Sequence, residues 1–184
     1  MPVPAQSTRN SLINAAIRVF SASPSATLSD VATEAGVKRV TLHRLFGTKD
    51  ALMKEVAAQS LREIDKVFAE ESQDKGSAIA VIKAIVEAIV PMGDRWHFIW
   101  RQYDIWHEPE LLKELGRQYE IMAAIVDRAK SEGSIEADIP TRWITASIDA
   151  VVFAAFSASQ EGNIAVNDAS QLALRTLLRG IETK

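Results

Sequence analysis

Five side chains between residues 38 and 44 are of the types that read nucleic acid: Lys38, Arg39, Thr41, His43 and Arg44. Lysine and arginine hydrogen-bond to guanine or to phosphate, threonine packs against the methyl group of thymine, and histidine offers a further ring nitrogen. Lys49 lies at the start of another predicted helix, where it can hold a phosphate beside the first free N–H groups. The pattern therefore predicts contact with a polyanion, and a solvated basic helix face is the alternative.

Two short helices and a glycine turn must position these side chains. Apolar residues stand at positions 28, 31, 32, 35 and 37 around Gly36, and the apolar set continues through Val40, Leu42, Leu45 and Phe46. Helices are predicted over about 28–35 and 38–45, packed on a preceding amphipathic helix that ends near Ser21. This arrangement predicts a helix-turn-helix unit whose second helix enters the major groove. A plain helical hairpin would show the same spacing.

The rest of the chain also has helical periodicity and no convincing strand. Helices are predicted over about 48–71, 77–91, 95–107, 110–132, 141–161 and 168–181, with a break at Pro91-Met92-Gly93 and N-caps at Asp94 and Asp168. The sequence therefore predicts an all-α fold. Residues 1–50 are expected to form a three-helix domain, and residues 51–184 are expected to form a larger helical domain.

An aromatic stripe follows in the larger domain. Trp96, Trp100 and Tyr103 stand at i, i+4 and i+7, so they share one helix face, and His107 extends it. Tyr119 and Phe153 are candidates to complete a wall around a small ligand. An aromatic core is the alternative, since aromatic side chains at helical spacing usually pack inside a protein.

The predicted helix over 141–161 is apolar on two sides. One stripe is made of large side chains, and the other is made of alanines that allow a second backbone to approach closely. A dimer interface is therefore predicted, with a central helix in a monomer as the alternative. The predicted interface residues are Ala146, Ala150, Ala154, Ala158, Leu174, Leu177 and Leu178. Asp149 is unusual on this helix and is expected to pair with Arg175 or Arg179, or to bind a cationic ligand.

Composition excludes several protein classes. The 184 residues include no cysteine, which excludes disulfide scaffolds, thiolate metal sites and thiol nucleophiles. The first residues resemble no signal peptide and no apolar run is long enough to span a bilayer, so a cytoplasmic protein without a membrane partner is expected. Residues 1–50 hold six basic and three acidic side chains, while the whole chain has a net charge of −3. A basic module joined to an acidic body is therefore indicated.

Motifs for catalysis or cofactor binding are missing from the sequence. It contains no GxGxxG, GxxxxGK[ST], HExxH or GxSxG pattern. Asp104, His107 and Glu108 are near one another in sequence, but helical spacing does not bring all three to one side, so no metal is expected. We expect no enzymatic activity and no cofactor.

Residues 9–56 resemble the N-terminal DNA-binding domain of the tetracycline-repressor (TetR) family of bacterial transcriptional regulators. The matching blocks are Leu12-Ile13-x-Ala15-Ala16, Val19-Phe20, Leu28-x-Asp30-Val31-Ala32-x-x-Ala35-Gly36-Val37 and Thr41-Leu42-x-Arg44-x-Phe46-x-x-Lys49-x-x-Leu52. The resemblance implies that Thr27 and Lys49 touch phosphates. It also implies that the recognition helix is lined by Lys38, Arg39, Thr41, Leu42 and His43.

Three positions depart from the family's pattern. Val40 stands where members usually have glycine, His43 where they usually have tyrosine, and Ser23-Pro24 near a usual glycine after the first helix. The resemblance implies a homodimer that binds a palindromic DNA operator, usually as a repressor released by a small-molecule effector. The sequence therefore predicts such a regulator, and a helical ligand-binding or interaction protein that does not use DNA is the alternative.

Overall fold

The computed structural model of the chain describes residues 5–23, 25–73, 76–101, 107–162 and 164–181. This part of the chain is helical and contains no β-strand, as predicted. None of its helices is long and apolar enough to cross a membrane. The helices are α1 (Ala5–Ala22), α2 (Leu28–Glu34), α3 (Arg39–Phe46), α4 (Lys49–Glu71), α5 (Ala78–Ile89), a 3₁₀ turn (Val90–Met92), α6 (Gly93–Arg101), α7 (Pro109–Ser131), α8 (Thr141–Gln160) and α9 (Val166–Ile181).

The chain divides into two compact units. The first unit comprises Met1–Arg62 and Asp94–Leu111, and the second comprises Glu63–Gly93 and Leu112–Lys184. The segment 94–111 thus belongs with the N-terminal helices, although it follows them by more than thirty residues.

Helices α1, α2 and α3 form the helix-turn-helix part of the first unit. A capping box starts α2: Asp30 N–H donates to the Thr27 hydroxyl at 3.3 Å, and Thr27 N–H donates to the Asp30 carboxylate at 2.7 Å. The turn after α2 requires Gly36, whose φ of +66° lies in the left-handed region. Val31 of α2 and Leu42 of α3 are fully buried, so the two short helices are held by a shared apolar core.

Helices α5, α8 and α9 carry the core of the second unit, and α8 and α9 pack most extensively against each other. The fully buried or nearly buried side chains include Ile82 and Ile85 of α5 and Ile144 and Val152 of α8. Their spacing of three, four or eight residues along each helix is the one that sequence periodicity predicts.

The predicted break at Pro91-Met92-Gly93 is confirmed, since α5 ends at Ile89 and a separate helix, α6, follows. A 3₁₀ turn follows α5 directly, and α6 begins at Gly93. Pro91 is the second residue of this turn, and proline is tolerated there because the N–H groups of a helix's first turn have no partner within the helix. The two N-caps predicted at Asp94 and Asp168 are wrong. Helix α6 begins at Gly93 and helix α9 at Val166, so both aspartates lie inside the first turns of their helices.

Candidate nucleic-acid interface and ligand-binding residues

The outward face of α3 carries most of the predicted base-reading side chains. Lys38, at the N-cap position, is exposed, and so are Arg39, His43 and Arg44, while Thr41 is half-buried. These residues can share a surface because Leu42 and Phe46 turn the opposite side of the helix into the core.

One residue of the predicted DNA-contacting set, Leu42, is not on the outward face of α3. Its side chain has 0% exposure, so it packs in the core of the first unit and has no surface to offer a DNA base. The exposed apolar residue of α3 is Val40, at 70% exposure. The family resemblance placed Leu42 on the recognition helix, but the helical phase turns it inward.

His43 is held in one tautomer by two hydrogen bonds. Its Nδ1 lies 3.0 Å from the carbonyl oxygen of Gly47, and the Arg39 Nε–H donates to its Nε2 at 3.3 Å. Because a carbonyl only accepts and a guanidinium only donates, Nδ1 must carry the proton and Nε2 must be the acceptor. The His43 ring therefore holds the side chain of Arg39 against α3.

The cations of α3 have no acidic partner within the described ranges. No carboxylate lies at salt-bridge distance from Lys38, Arg39 or Arg44 there, whereas Arg18 pairs with Glu34 at 2.9 Å and Arg9 pairs with Glu55 at 3.0 Å. The first unit thus neutralises cations elsewhere and leaves the α3 face positive. Such a face is complementary to phosphate and to the acceptor-rich edge of guanine.

Lys49 and Thr27, both expected at phosphates, have structural contacts of their own. The Lys49 Nζ donates to the carbonyl oxygen of Ala26 at 2.9 Å and lies 4.5 Å from the centre of the Phe20 ring. The Thr27 hydroxyl donates to Asp30 at 2.8 Å, and the capping bonds of Thr27 lower the pKa of that carboxyl. The two residues therefore stabilise the start of α2, and their phosphate contacts stay predictions.

The predicted aromatic wall is distributed over both units. Trp96 and His107 belong to the first unit, where Trp96 is 8% exposed and His107 is exposed. Tyr119 and Phe153 belong to the second unit and are half-buried. Tyr103 and the side chain of Trp100 lie outside the described residues. The ligand-lining assignment therefore stays a prediction.

Asp149 has a different partner from the one predicted. The Tyr119 hydroxyl donates to its carboxylate at 2.5 Å, whereas Arg175 and Arg179 are exposed and make no described bond to it. Burial raises the pKa of Asp149 to about 6, although the Tyr119 hydrogen bond acts in the opposite direction. Burial, and then the charge of Asp149, raise the pKa of Tyr119. The Asp149 carboxylate is thus largely buried, and among the described residues no cationic side chain is bonded to it.

A second polar cluster joins α4 to α7 within the second unit, and the sequence analysis missed it. The Asp65 carboxylate accepts from the Gln118 side chain at 2.9 Å and is ion-paired with Arg117, which also pairs with Glu114. Burial and a hydrogen bond with Glu114 raise the pKa of Asp65. Asp65 is 52 positions from Arg117 and 53 from Gln118, so no local spacing could have revealed the cluster.

The acidic residues and the histidine considered as metal ligands, Asp104, His107 and Glu108, are only partly described by the structure. In the parts of the chain that the structure covers, no group of three or more potential metal ligands occurs. Asp104 lies outside these parts, and Glu108 is ion-paired with Lys54 at 2.5 Å.

The alanine stripe of α8 lies at the surface of the single chain. Ala146, Ala150 and Ala154 are exposed, and Ala158 is half-buried. An apolar groove of about 230 Å³ runs between α8 and α9. It is lined by Val151, Ala154, Ala155, Ala158, Ile164, Ala169, Leu172, Ala173 and Thr176.

The predicted α9 members of the dimer surface need a correction. Leu174, Leu177 and Leu178 are 6%, 4% and 9% exposed, so they are core residues of this chain. The leucine of α9 that borders the groove is Leu172, at 39% exposure. The helical phase of α9 thus turns the predicted leucines toward α5 and α8, and it leaves Leu172 outside.

Comparison with known proteins connects these features to a group of regulators. Residues 12–56 match the family model described as bacterial regulatory proteins, tetR family. The chain is 26% identical over 156 residues to the HTH-type transcriptional repressor LfrR of Mycolicibacterium smegmatis, covering 84% of this chain and 80% of the repressor.

Solved structures show the same fold over nearly the whole chain. A TetR-like transcriptional regulator LfrR from Mycobacterium smegmatis, in complex with proflavine, has a TM-score of 0.79 at 24% identity and covers 96% of this chain and 97% of its own. The ketosteroid transcriptional regulator KstR2 of Mycobacterium tuberculosis has a TM-score of 0.81 at 15% identity, with coverages of 100% and 98%.

Proposed function

We propose that the chain is a homodimeric transcriptional repressor of the tetR family that a small-molecule effector releases from a palindromic operator. The match of residues 12–56 to that family's model and the 26% identity to LfrR support the family. The observation that carries this proposal is the outward face of α3. Lys38, Arg39 and Arg44 lie there without a carboxylate partner in the described part of the chain. A positive, exposed helix face is the feature that phosphates and base edges complement.

In the proposed complex, each α3 enters one major groove. Arg39 and Lys38, at the N-terminal end of α3, are the side chains of this helix type that reach base edges, and both can pair with the O6 and N7 acceptors of guanine. In a two-fold dimer the half-sites are spaced by about 34–36 Å or a multiple of it. Each α3 face supplies few cations, so high operator affinity requires the helix-turn-helix parts of both copies to bind together.

The α8–α9 groove supports the dimer. Its alanine stripe lets a second helix approach closely, and Leu172 offers apolar surface at its edge. We propose that the same groove of a second copy covers it around a two-fold axis, as an isologous contact requires.

Asp149 supports an effector that is an aromatic cation. Its carboxylate is largely buried, and a cation at this place would favour the charged form of the carboxyl that burial disfavours. Tyr119 and Phe153 provide aromatic rings in the same unit. Proflavine, found in the complex of the related LfrR structure, is a flat aromatic cation and is the probe we propose. An effector that prefers a conformer with misplaced α3 helices lowers operator affinity by its differential affinity.

The decisive test is binding to intergenic DNA duplexes from the neighbourhood of its own gene, measured by mobility shift. We expect salt-sensitive, sequence-specific binding by the wild-type chain. Lys38→Ala and Arg39→Ala are each expected to weaken it by at least about 1 kcal/mol per half-site, the usual value of a base contact. Added proflavine is expected to lower the affinity of the wild-type chain.

Lys66→Ala is the matched control, since Lys66 is an exposed lysine of α4 outside the α3 face. It is expected to bind as the wild type does. Retention of DNA without sequence preference would contradict the regulator function and favour a helical ligand-binding protein. Unchanged affinity in both α3 variants would contradict the assignment of the recognition surface, and binding unaffected by proflavine would contradict the effector class.

A further inference from the structure

Val40 is the most exposed large apolar side chain among the described residues, at 70%. It is the second residue of α3, and it shares the outward face with His43 and Arg44, three and four positions further on. Valine at an exposed helix position costs about 0.5 kcal/mol relative to alanine. The residue therefore contributes nothing to the core and disfavours the helix in which it lies.

We propose that Val40 is a specificity-determining residue that reads thymine: its methyl groups pack on the 5-methyl group of one thymine in each operator half-site. This inference rests on the proposed DNA-binding function and adds to it a base identity. Val40, which stands where the family's pattern has glycine, would then determine which base the protein prefers at one position of each half-site.

The chemistry of the major groove selects thymine. Its base edges offer hydrogen-bond donors and acceptors, and the thymine methyl is the one apolar group among them. Valine has no donor or acceptor, so at a cytosine it would cover an amino group that loses its water, at a cost. The other apolar candidates of α3 are less available, since Leu42 is fully buried and Leu45 is half-buried.

The charges around Val40 select DNA as the occupant of this surface. Lys38 and Arg39 precede Val40 and Arg44 follows it one helical turn later, all of them exposed. A second copy of the same face would be repelled by these like charges, whereas a polyanion is attracted by them. The apolar side chain is therefore presented to a partner that is anionic at its backbone and carries methyl groups in its groove.

The test uses the full-length chain and an operator selected by it from duplexes of random sequence. In the selected duplex, each thymine is replaced in turn by uracil, which removes only the 5-methyl group, and the dissociation constant is measured by fluorescence anisotropy. At one thymine position of each half-site, we expect the replacement to weaken wild-type binding about four-fold, the value of one buried methylene-sized group.

Three variants complete the measurement. Val40→Ala is expected to lose affinity for the thymine duplex about four-fold or more and to be insensitive to uracil at the same position. Val40→Thr keeps one methyl group at the same branch point and is expected to retain part of the sensitivity. Val166→Ala is the matched control, since it removes the same atoms from an exposed valine of α9.

Each possible result either supports or overturns the contact between Val40 and thymine. A uracil effect that disappears in Val40→Ala supports the contact, because the two changes then fail to add. If Val40→Ala binds as tightly as the wild type, or keeps its full uracil sensitivity, the inference is overturned while the DNA-binding function stands. If the wild-type chain selects no sequence above the random pool, the proposed function fails, and the inference fails with it. Val40→Ala removes no buried contact, so it is expected to fold, and thermal unfolding checks this.

Discussion

At the scale of single residues, Asp149 is a carboxyl group whose proton affinity is increased by folding. Burial raises the pKa of Asp149 to about 6, well above the usual value of an aspartate, and Tyr119 donates its one described hydrogen bond. The folded protein therefore holds a proton on Asp149 in a pH range in which the unfolded chain has released it. Stability that this carboxyl contributes is present below about pH 4 and is lost as the pH rises through about 6.

Asp149→Asn is expected to remove this pH dependence. The amide oxygen still accepts from Tyr119, but it carries no charge to desolvate. The free energy of unfolding of the variant, relative to that of the wild type, is therefore expected to increase by about 2 kcal/mol between pH 4 and pH 7. Urea unfolding at four pH values in this range measures the difference.

Asp168→Asn serves as the control, since Asp168 is an exposed aspartate of α9. Its difference from the wild type is expected to vary little over the same range. A difference for Asp149→Asn that stays constant with pH would show that the folded chain does not hold that proton.

The partner of Asp149 illustrates what sequence reasoning at this scale could not reach. The helical pattern of residues 141–161 correctly marked an acidic residue on an apolar helix, for which a partner was required. It favoured Arg175 or Arg179, which are on the next helix, whereas the observed partner lies on α7, 30 positions earlier. Which helix faces Asp149 depends on tertiary packing, and local spacing carries no information about it.

At the scale of elements, the junction between α5 and α6 depends on a missing side chain. A Cβ atom built at Gly93 would lie 2.5 Å from the Cβ of Phe156, far inside van der Waals contact. The chain can therefore continue from the 3₁₀ turn into α6 only because glycine stands at this position against α8.

Gly93→Ala is expected to destabilise the protein by about 1–3 kcal/mol, since the added methyl group overpacks the contact with Phe156. Gly116→Ala in α7 is the matched control, because no atom lies within 4 Å of the Cβ it would gain. That variant is expected to be more stable than the wild type by about 0.5–1 kcal/mol. Thermal or urea unfolding of the two variants measures both signs, and a stabilised Gly93→Ala variant would contradict the close packing.

Element prediction succeeded where the signals are local and failed where they are not. Helices α2 and α3 were predicted within one to two residues, because the cap at Thr27 and the turn at Gly36 are decided by neighbouring residues. The same local signals at Pro91-Met92-Gly93 correctly predicted a break after α5, but they did not predict that α6 begins at Gly93. There the packing of Gly93 against Phe156, 63 positions away, decides the path of the chain.

At the scale of the whole molecule, the proposed repressor requires two copies of the chain. The exposed alanines of α8 and the groove beside them are the surface proposed for this contact. The order of helices and the exposed basic face of α3 followed from the sequence, but the orientation of α9 did not, since Leu174, Leu177 and Leu178 face the core. Both faces of α9 contain leucine, so periodicity alone could not choose between them.

Ala150→Glu is expected to convert the proposed dimer to a monomer, because each copy would have to bury an added carboxylate in the proposed interface. With one head per molecule, operator affinity is expected to fall by about 100-fold or more. Sedimentation measures the mass and mobility shift measures the affinity. Ala124→Glu, at an exposed alanine of α7, is the control, and an intact Ala150→Glu dimer would place the interface elsewhere.

The cations of the α3 face, which have no carboxylate partner in the described part of the chain, also bear on how the proposed repressor would find its operator in a genome. If the proposed function holds, Lys38, Arg39 and Arg44 would meet a chromosome before any base is read, and the attraction of each to phosphate would be independent of sequence. Because the remainder of the chain is acidic, this attraction is weak for each encounter. A search made of many brief landings, rather than long slides along the duplex, is the kinetic consequence. The time needed to occupy a newly replicated operator would then depend mainly on the number of molecules in the cell.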